Sequence, residues 1–190
     1  MNILIIVDFQ IDFCQKKGAL YVDGAGKALR QILKLLNSRT VDKVFFTVDW
    51  HPVDHCSFTE NGGHWPMHCV QYSTGASIPD VLIGTCQKNR IPFEVIRKGA
   101  DPKTEAYSAF AHLEDKGNYV TLTSDRAKFH FYKRDTLIVC GLAGDYCVYE
   151  SVKDLSVFLR PAVFGKGIAY IADQTKLGNL MQEKGLEEVK

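Results

Sequence analysis

The sequence predicts an α/β fold in which a parallel β-sheet carries helices on both faces. Short apolar runs of strand length alternate along the chain with stretches whose apolar residues recur at helical spacing. This alternation is typical of parallel sheets, because the connection between two parallel strands usually contains a helix. The predicted strands are residues 3–7, 41–48, 93–96, 137–140, 167–172 and 186–189.

The predicted helices lie between these strands. The clearest is residues 25–36, where Ala28, Ile32 and Leu36 belong to one apolar stripe. Residues 149–155 and 177–183 are also predicted to be helical. Residues 50–85 are rich in Gly, Pro, His and aromatic residues and are predicted to be mainly loop, whereas residues 128–134 fit either a strand or a basic loop.

Length and composition favour a single domain over residues 1–190 and exclude several partners. The net charge is +1, which gives no electrostatic case for nucleic acid or an anionic membrane. No apolar run has the length of a membrane span, and the apolar start at residues 1–8 ends in an acid, as expected of a buried strand rather than a signal peptide. The six scattered cysteines favour reduced thiols and a cytoplasmic location.

Cys147 lies where a predicted strand meets a predicted helix, in the segment GLAGDYCV at residues 141–148. The N–H groups at a helix N-terminus favour negative charge, so we expect a lowered thiol pKa there. The same N–H groups are able to hold an oxyanion. These features make Cys147 a candidate nucleophile. The alternative is a buried cysteine that only packs.

Four chemically useful side chains follow the ends of predicted strands: Asp8, Asp49, Lys98 and Cys147. The carboxyl ends of parallel strands share one edge of the sheet, where ligands bind. Asp8 is placed to accept the proton of Cys147, and Lys98 to orient Asp8 and stabilise the thiolate. Each acid alone is also typical of a turn or helix cap, and a Cys–His pair is the rival arrangement.

A histidine-rich segment predicts a divalent metal site. Four of the six histidines lie between positions 51 and 68, and Asp49 and His51 are two residues apart at a strand end, so that both point to one face. Asp49, His51 and His68 form a donor set that suits Zn²⁺, with Mn²⁺ or Fe²⁺ as alternatives. Further candidate contacts are His55, Ser57, Glu60 and His64. The alternative is a polar loop with solvated histidines.

Five stretches in order along the chain resemble the nicotinamidases of the isochorismatase-like cysteine hydrolase superfamily. They are VDFQIDF at 7–13; TVDWHP at 47–52, with His55, Ser57 and Phe58; WPMHCVQ at 65–71; RKG at 97–99, with EAYSAF at 105–110; and VCGLAGDYCV at 139–148. The resemblance covers roughly residues 1–110 and 135–155. It implies a Rossmann-like parallel sheet in an α/β/α sandwich.

The resemblance also implies a role for each matching residue. Asp8, Lys98 and Cys147 match the catalytic triad, and Asp49, His51 and His68 match the metal ligands. Phe13, Trp65 and Tyr107 match the aromatic walls of the substrate pocket. The backbone N–H groups of Ala143 and Cys147 match the oxyanion hole, and the Leu142–Ala143 peptide matches one that is cis in relatives.

The activity implied is hydrolysis of nicotinamide to nicotinate and ammonia through a cysteine thioester in NAD salvage, with pyrazinamide as a second small-molecule substrate. The resemblance leaves a homo-oligomer open. The chain departs from the family pattern at Gly144, where relatives often carry Thr or Ser, and in residues 111–134 and 155–161.

Two other functions remain as alternatives. One is another amidohydrolase of the same superfamily, such as one acting on carbamoyl compounds, although those relatives generally lack the Asp49, His51 and His68 set. The other is a non-catalytic metal-binding or scaffold protein. An isochorismatase proper would lack the nucleophilic Cys147.

Overall fold

A five-stranded parallel β-sheet forms the centre of the structure, a computed structural model that describes residues 1–124 and 127–189. Its strand order is β3-β2-β1-β7-β8. The strands of the chain are β1 (Asn2–Val7), β2 (Lys43–Asp49), β3 (Phe93–Lys98), β4 (Leu113–Asp115), β5 (Tyr119–Thr123), β6 (Lys128–Tyr132), β7 (Thr136–Gly141) and β8 (Ala162–Ile168). The helices are α1 (Ile11–Cys14), α2 (Ala25–Asn37), α3 (Asp80–Lys88), α4 (Cys147–Leu155) and α5 (Thr175–Lys184).

The apolar sequence of β1 explains its central position. Residues 3–7 are all buried, and β1 pairs in parallel with β2 on one side and β7 on the other. A strand covered on both faces needs a continuous apolar run rather than an alternating one. The helices pack as two pairs, α2 with α3 and α4 with α5, and the sheet lies between helices as the sequence predicts.

A second, antiparallel sheet of β4, β5 and β6 lies beside the parallel one. Phe129 and Phe131 of β6 pack against Phe45 of β2, with ring centroids 5.5 and 4.9 Å apart. The alternating burial of β6 is typical of a strand with one face on a core. Residues 128–132 are therefore a strand, and the basic-loop alternative for this segment is wrong.

Three predicted elements differ from the structure. Residues 80–88 form α3, which begins inside the predicted loop region of residues 50–85; only Leu82 and Cys86 are buried in it, and the apolar stripe is too short to recognise. The strand predicted at 167–172 lies at Ala162–Ile168, because Gly165, Lys166 and Gly167 interrupt its apolar pattern. Residues 186–189 are not a strand; they contribute one isolated bridge, between Glu188 and Val163.

The carboxyl ends of four parallel strands converge at one edge of the sheet. Asp49 and Lys98 are the last residues of β2 and β3 and are register partners, Asp8 directly follows β1, and Cys147 begins the helix after β7. The predicted gathering of these four residues is therefore present. Among the described helices, none is both long and apolar enough to cross a bilayer.

Candidate active site

Lys98 lies at the centre of the strand-end cluster. Its buried ammonium is 2.9 Å from Asp8 Oδ2, forms an ion pair with Asp49 Oδ1 and lies 3.6 Å from Cys147 Sγ. It also donates to the Ala106 carbonyl at 3.0 Å. Burial acts to lower the pKa of Lys98, but the Asp49 and Asp8 carboxylates raise it well above its usual value. The lysine therefore remains charged, and the single cation links both acids to the thiol.

Asp8 is held by Thr47 of the neighbouring strand. The Thr47 hydroxyl donates to Asp8 Oδ1 at 2.7 Å, and the Asp8 N–H donates to the Thr47 carbonyl at 3.1 Å. Asp8 Oδ2 pairs with Lys98 but has no aligned hydrogen bond, so it keeps a lone pair for a proton. Burial raises the pKa of Asp8, an effect that the Lys98 charge opposes. A raised pKa makes this carboxylate a better proton acceptor.

Burial raises the pKa of the Cys147 thiol well above its usual value, and the Lys98 charge offsets this only in part. The expectation that the helix N-terminus gives Cys147 a lowered pKa is therefore wrong for the resting site. Desolvation penalises the thiolate more than the helix N-terminus and the lysine favour it. Cys147 rests as a thiol, and attack on a substrate requires a neighbouring base to take its proton.

The turn before α4 presents two backbone N–H groups. Within residues 1–124 and 127–189, the N–H groups of Ala143 and Cys147 donate to no protein acceptor. The Leu142–Ala143 peptide is cis, as the resemblance implies. Gly144 is required by packing, because a Cβ at this position would lie 2.2 Å from the Tyr170 ring. The departure at Gly144 is thus compensated by an aromatic side chain that fills the space beside the turn.

Asp49, His51 and His68 converge on one point. Their potential ligand atoms all lie within 4.8 Å of one another, with Asp49 Oδ2 3.7 Å from His51 Nε2 and 3.9 Å from His68 Nε2. The Nδ1 atom of His51 is 2.9 Å from the Gly99 carbonyl oxygen, and the Nδ1 atom of His68 is 2.7 Å from the Pro66 carbonyl oxygen. A carbonyl at Nδ1 fixes the tautomer that leaves Nε2 free to bind a cation. The donor set fits a divalent metal ion.

The pKa shifts of Asp49, His51 and His68 are those expected of a site for a divalent metal ion. Burial acts to raise the pKa of Asp49, but the Lys98 charge, the hydrogen bond from His51 and the charges of both histidines together keep the pKa below the usual range. Burial lowers the pKa of His68, which keeps the ring neutral. Burial also acts to lower the pKa of His51, but the hydrogen bond and charge of Asp49 raise it. A bound cation would take the place of the proton that Asp49 favours on His51.

The four further candidate contacts lie outside this donor set. Both nitrogens of His55 are engaged, Nδ1 with Ser57 Oγ at 2.7 Å and Nε2 with the Thr104 carbonyl at 3.2 Å. The centroids of the His55 and His51 rings are 4.0 Å apart, so His55 packs against a proposed metal ligand and does not itself offer a free nitrogen to the ion. Glu60 and His64 are exposed.

A cavity connects Cys147 to the donor set of Asp49, His51 and His68. Ala143 and Cys147 line it together with Asp49 and His68, and the three predicted aromatic residues Phe13, Trp65 and Tyr107 form part of its wall. Apolar and aromatic walls with a few convergent polar groups are typical of small-molecule sites. Five further lining residues were not predicted: Leu20, Val22, Glu105, Tyr146 and Ile171.

The aromatic wall is held together by edge contacts and one hydrogen bond. Trp65 Nε1 donates to the Tyr107 hydroxyl at 3.0 Å. The centroids of the Trp65 and Tyr146 rings are 5.1 Å apart, and the angle between the ring planes is 84°. Tyr146 directly precedes Cys147, a position from which its place in the wall could have been predicted. Leu20 and Ile171 come from irregular segments without a motif, so the sequence carries no signal for them.

The chain is similar to known nicotinamidases in sequence. It is 34% identical over 169 residues to the nicotinamidase of Escherichia coli, covering 80% of this chain and 74% of that protein. It is 33% identical over 159 residues to the nicotinamidase/pyrazinamidase of Mycobacterium tuberculosis, covering 81% of this chain and 78% of that protein.

Solved structures resemble the whole chain. The PnC1 protein of L. infantum, crystallised with nicotinate, matches with a TM-score of 0.79 and 28% identity, covering 100% of this chain and 92% of that one. The pyrazinamidase of Pyrococcus horikoshii, crystallised with zinc, matches with a TM-score of 0.73 and 26% identity, covering 100% and 98%. The isochorismatase domain model matches residues 2–156. The chain therefore belongs to the isochorismatase family.

Proposed function

We propose that this protein is a nicotinamidase, an amidohydrolase that converts nicotinamide to nicotinate and ammonia through a thioester on Cys147. The observation that carries the proposal is the position of Lys98, which contacts Asp8 and Asp49 and lies 3.6 Å from Cys147 Sγ at the end of an aromatic-lined cavity. Relatives named as nicotinamidases and a neighbour crystallised with nicotinate support the same reaction.

The first half of the reaction acylates Cys147. Asp8 takes the thiol proton while Lys98 stabilises the developing thiolate, and the sulfur attacks the carboxamide carbon. The N–H groups of Ala143 and Cys147 bind the oxyanion of the tetrahedral intermediate. When this intermediate collapses, the C–N bond breaks and Asp8 returns its proton to the departing ammonia. The acyl group remains on Cys147 as a thioester.

The second half releases the acid. Asp8, again a carboxylate, takes a proton from a water molecule that attacks the thioester carbon, and the same two N–H groups hold the second oxyanion. The C–S bond breaks, the thiolate takes the proton back from Asp8, and the product leaves as nicotinic acid, which loses its proton to solvent to give nicotinate. The water supplies the oxygen and hydrogen atoms that turn the amide into acid and ammonia.

The ring end of the cavity selects the substrate. The rings of Phe13, Trp65 and Tyr107 suit a flat heteroaromatic group. We propose that Asp49, His51 and His68 hold one divalent ion, with Zn²⁺ as first choice and Mn²⁺ or Fe²⁺ as alternatives. When bound, the ion would supply a Lewis-acidic contact to the pyridine nitrogen, directly or through water. The zinc complex of the P. horikoshii neighbour supports this choice.

The proposal also covers the extent of the domain, the cellular role, a second substrate and the oligomeric state. The domain is proposed to extend over residues 1–190, supported by β8, which pairs with β7 beyond the matched region. The proposed role is NAD salvage in the cytoplasm, consistent with six free cysteines. Pyrazinamide is a proposed second substrate, and a homo-oligomer stays a prediction.

The test is release of ammonia and nicotinate by purified protein, with thiols reduced and with Zn²⁺, Mn²⁺ or Fe²⁺ added separately. We expect turnover of nicotinamide and pyrazinamide, and much slower turnover of benzamide, which has the amide but no ring nitrogen. Absence of ammonia with all three metals would overturn the proposal. Equal turnover of benzamide would refute the ring contact and favour an amidase of other specificity.

A further inference from the structure

The Asp12 carboxylate connects three segments around the cavity without lining it. Asp12 lies in α1, next to the wall residue Phe13. Its Oδ2 accepts the N–H of Cys69 at 2.7 Å, and its Oδ1 accepts the N–H of Ala19 at 3.2 Å. Its own N–H donates to the Gly75 carbonyl at 3.0 Å.

The contact with Cys69 reaches both histidines of the proposed metal site. Cys69 follows His68 directly, and its carbonyl accepts the N–H of His51 at 3.1 Å. A line of hydrogen bonds therefore runs from the Asp12 carboxylate through the Cys69 peptide groups to the His51 backbone. One side chain outside the ligand set is thus hydrogen-bonded to the backbone that connects two ligands on separate loop segments.

Cys69 has a backbone conformation that needs such support. Its φ is 46°, in the left-handed region that non-glycine residues seldom adopt. Such conformations persist only when the surroundings hold them. Cys69 is fully buried, and its N–H is satisfied by Asp12. A hydrogen bond to a carboxylate is stronger than one between neutral groups.

We propose that Asp12 is a positioning residue for the metal site: its carboxylate holds Cys69, and through Cys69 it sets the spacing of His51 and His68. The inference rests on the proposed function, because it assumes that these histidines bind a metal ion. Asp12 itself contacts neither substrate nor metal. Its effect is on how well the apoprotein is preorganised for the ion.

A glycine provides a way to displace the carboxylate without changing it. A Cβ at Gly75 would lie 2.1 Å from Asp12 Oδ2, so the Gly75→Ala substitution must push the carboxylate away from Cys69. The matched control is Gly84→Ala in α3, where a Cβ would meet no atom within 4 Å. Asp12→Asn is the direct variant, since its amide keeps the size of the side chain but loses the charge.

The experiment is a titration of each metal-free protein with Zn²⁺ against a competing chelator, beside thermal unfolding of the same samples without metal. We expect Asp12→Asn and Gly75→Ala to bind Zn²⁺ about 10- to 100-fold more weakly, the usual cost of losing a group that orients ligands. Gly84→Ala should bind as the unmodified protein does. A residue that only stabilised the fold would lower the unfolding midpoint and leave the affinity of the folded protein unchanged.

The outcomes separate the two proposals. If the unmodified protein binds Zn²⁺ and both variants bind it within twofold as tightly, the role of Asp12 is overturned and the metal site stands. If the unmodified protein binds no Zn²⁺, Mn²⁺ or Fe²⁺, the metal site is wrong, and the role of Asp12 with it.

Discussion

The cavity joins two regions that are held in place by different means. At the thiol end, Lys98 is the last residue of β3, Asp8 directly follows β1 and Cys147 begins the helix after β7, so the sheet holds their backbones in place. At the ring end, the histidines lie in the irregular segment between β2 and α3, where His51 forms one isolated bridge with Val70 and each ring is oriented by one hydrogen bond to a backbone carbonyl. The chemistry of the thiol end follows from topology, whereas the ring end depends on side chains that hold its loops.

Asp49 belongs to both regions. One of its carboxylate oxygens pairs with Lys98, and the other faces His51 and His68. Because the two ends share one buried carboxylate, they are electrostatically connected. Variants at the thiol end should therefore change the reaction at Cys147 without changing metal binding, and variants at the ring end should do the reverse. A variant at Asp49 should change both.

The largest expected effect is from Cys147→Ala, which removes the proposed nucleophile. We expect kcat to fall at least about 10³-fold, as in other enzymes that lose a covalent nucleophile, because no other group can form the acyl intermediate. Metal content should stay unchanged, because Cys147 is not in the ring-end donor set. Ammonia release and metal analysis measure the two properties, with Cys56→Ala as the control. Loss of metal from Cys147→Ala would contradict the separation of the two ends.

Asp49→Ala should damage both ends. We expect loss of bound metal and faster alkylation of Cys147 by iodoacetamide, because the Asp49 charge raises the pKa of the Cys147 thiol and its removal increases the thiolate fraction. The matched control is His68→Ala, which should also lose the metal but leave the alkylation rate near that of the metal-free unmodified protein. Mass spectrometry assigns the alkylated cysteine. Equal rates in both variants would show that Asp49 does not connect the ends.

A smaller, directional effect is expected from Thr47→Val at the thiol end. The Thr47 hydroxyl lowers the pKa of Asp8 by donating to its carboxylate. Losing one such bond, worth about 1 kcal/mol, should move the acid limb of kcat/KM upward by roughly 0.7 pH units. The direction is upward because a base with a higher pKa becomes protonated, and inactive, at higher pH.

Thr47→Ser keeps the hydroxyl and is the control for this shift. Metal content at each pH shows whether the limb reports Asp8 or loss of the ion. An acid limb that does not move in Thr47→Val, with metal still bound, would mean that Asp8 is not the titrating base.

The smallest effect is expected at the aromatic wall. Trp65→Phe removes the N–H that holds the Tyr107 hydroxyl, while keeping an aromatic ring. We expect KM for nicotinamide to rise about 2- to 10-fold, in line with one neutral hydrogen bond, with kcat little changed. Tyr72→Phe, on a side chain that is 83% exposed, is the control. A large fall in kcat would show that the wall also positions the reacting amide.

The sheet and the strand-end residues could be predicted because both follow from simple periodic rules. Continuous apolar runs mark buried parallel strands, and the strand-end rule places Asp8, Asp49 and Lys98 on one edge whatever the loops do. The pairing of Asp49 with Lys98 in register is the clearest case. The same rule found Cys147, since its turn stands between β7 and α4.

What the sequence could not predict depends on contacts made in three dimensions. The balance between burial and the Lys98 charge decides the pKa of Cys147, and burial is not visible in a motif. His55 looks like a ligand in the sequence, yet both of its nitrogens are engaged elsewhere. The strand at 162–168 was misplaced because its glycines hide the pattern.

The most direct test is to stop the reaction with acid during turnover of nicotinamide and to measure the mass of the peptide that contains Cys147. We expect a nicotinoyl group on Cys147, labile to hydroxylamine as a thioester is. We expect no adduct on the same peptide of Cys147→Ala. An adduct on another cysteine, or steady ammonia release from Cys147→Ala, would contradict the central claim that this thiol, activated by Asp8 and Lys98, is the nucleophile.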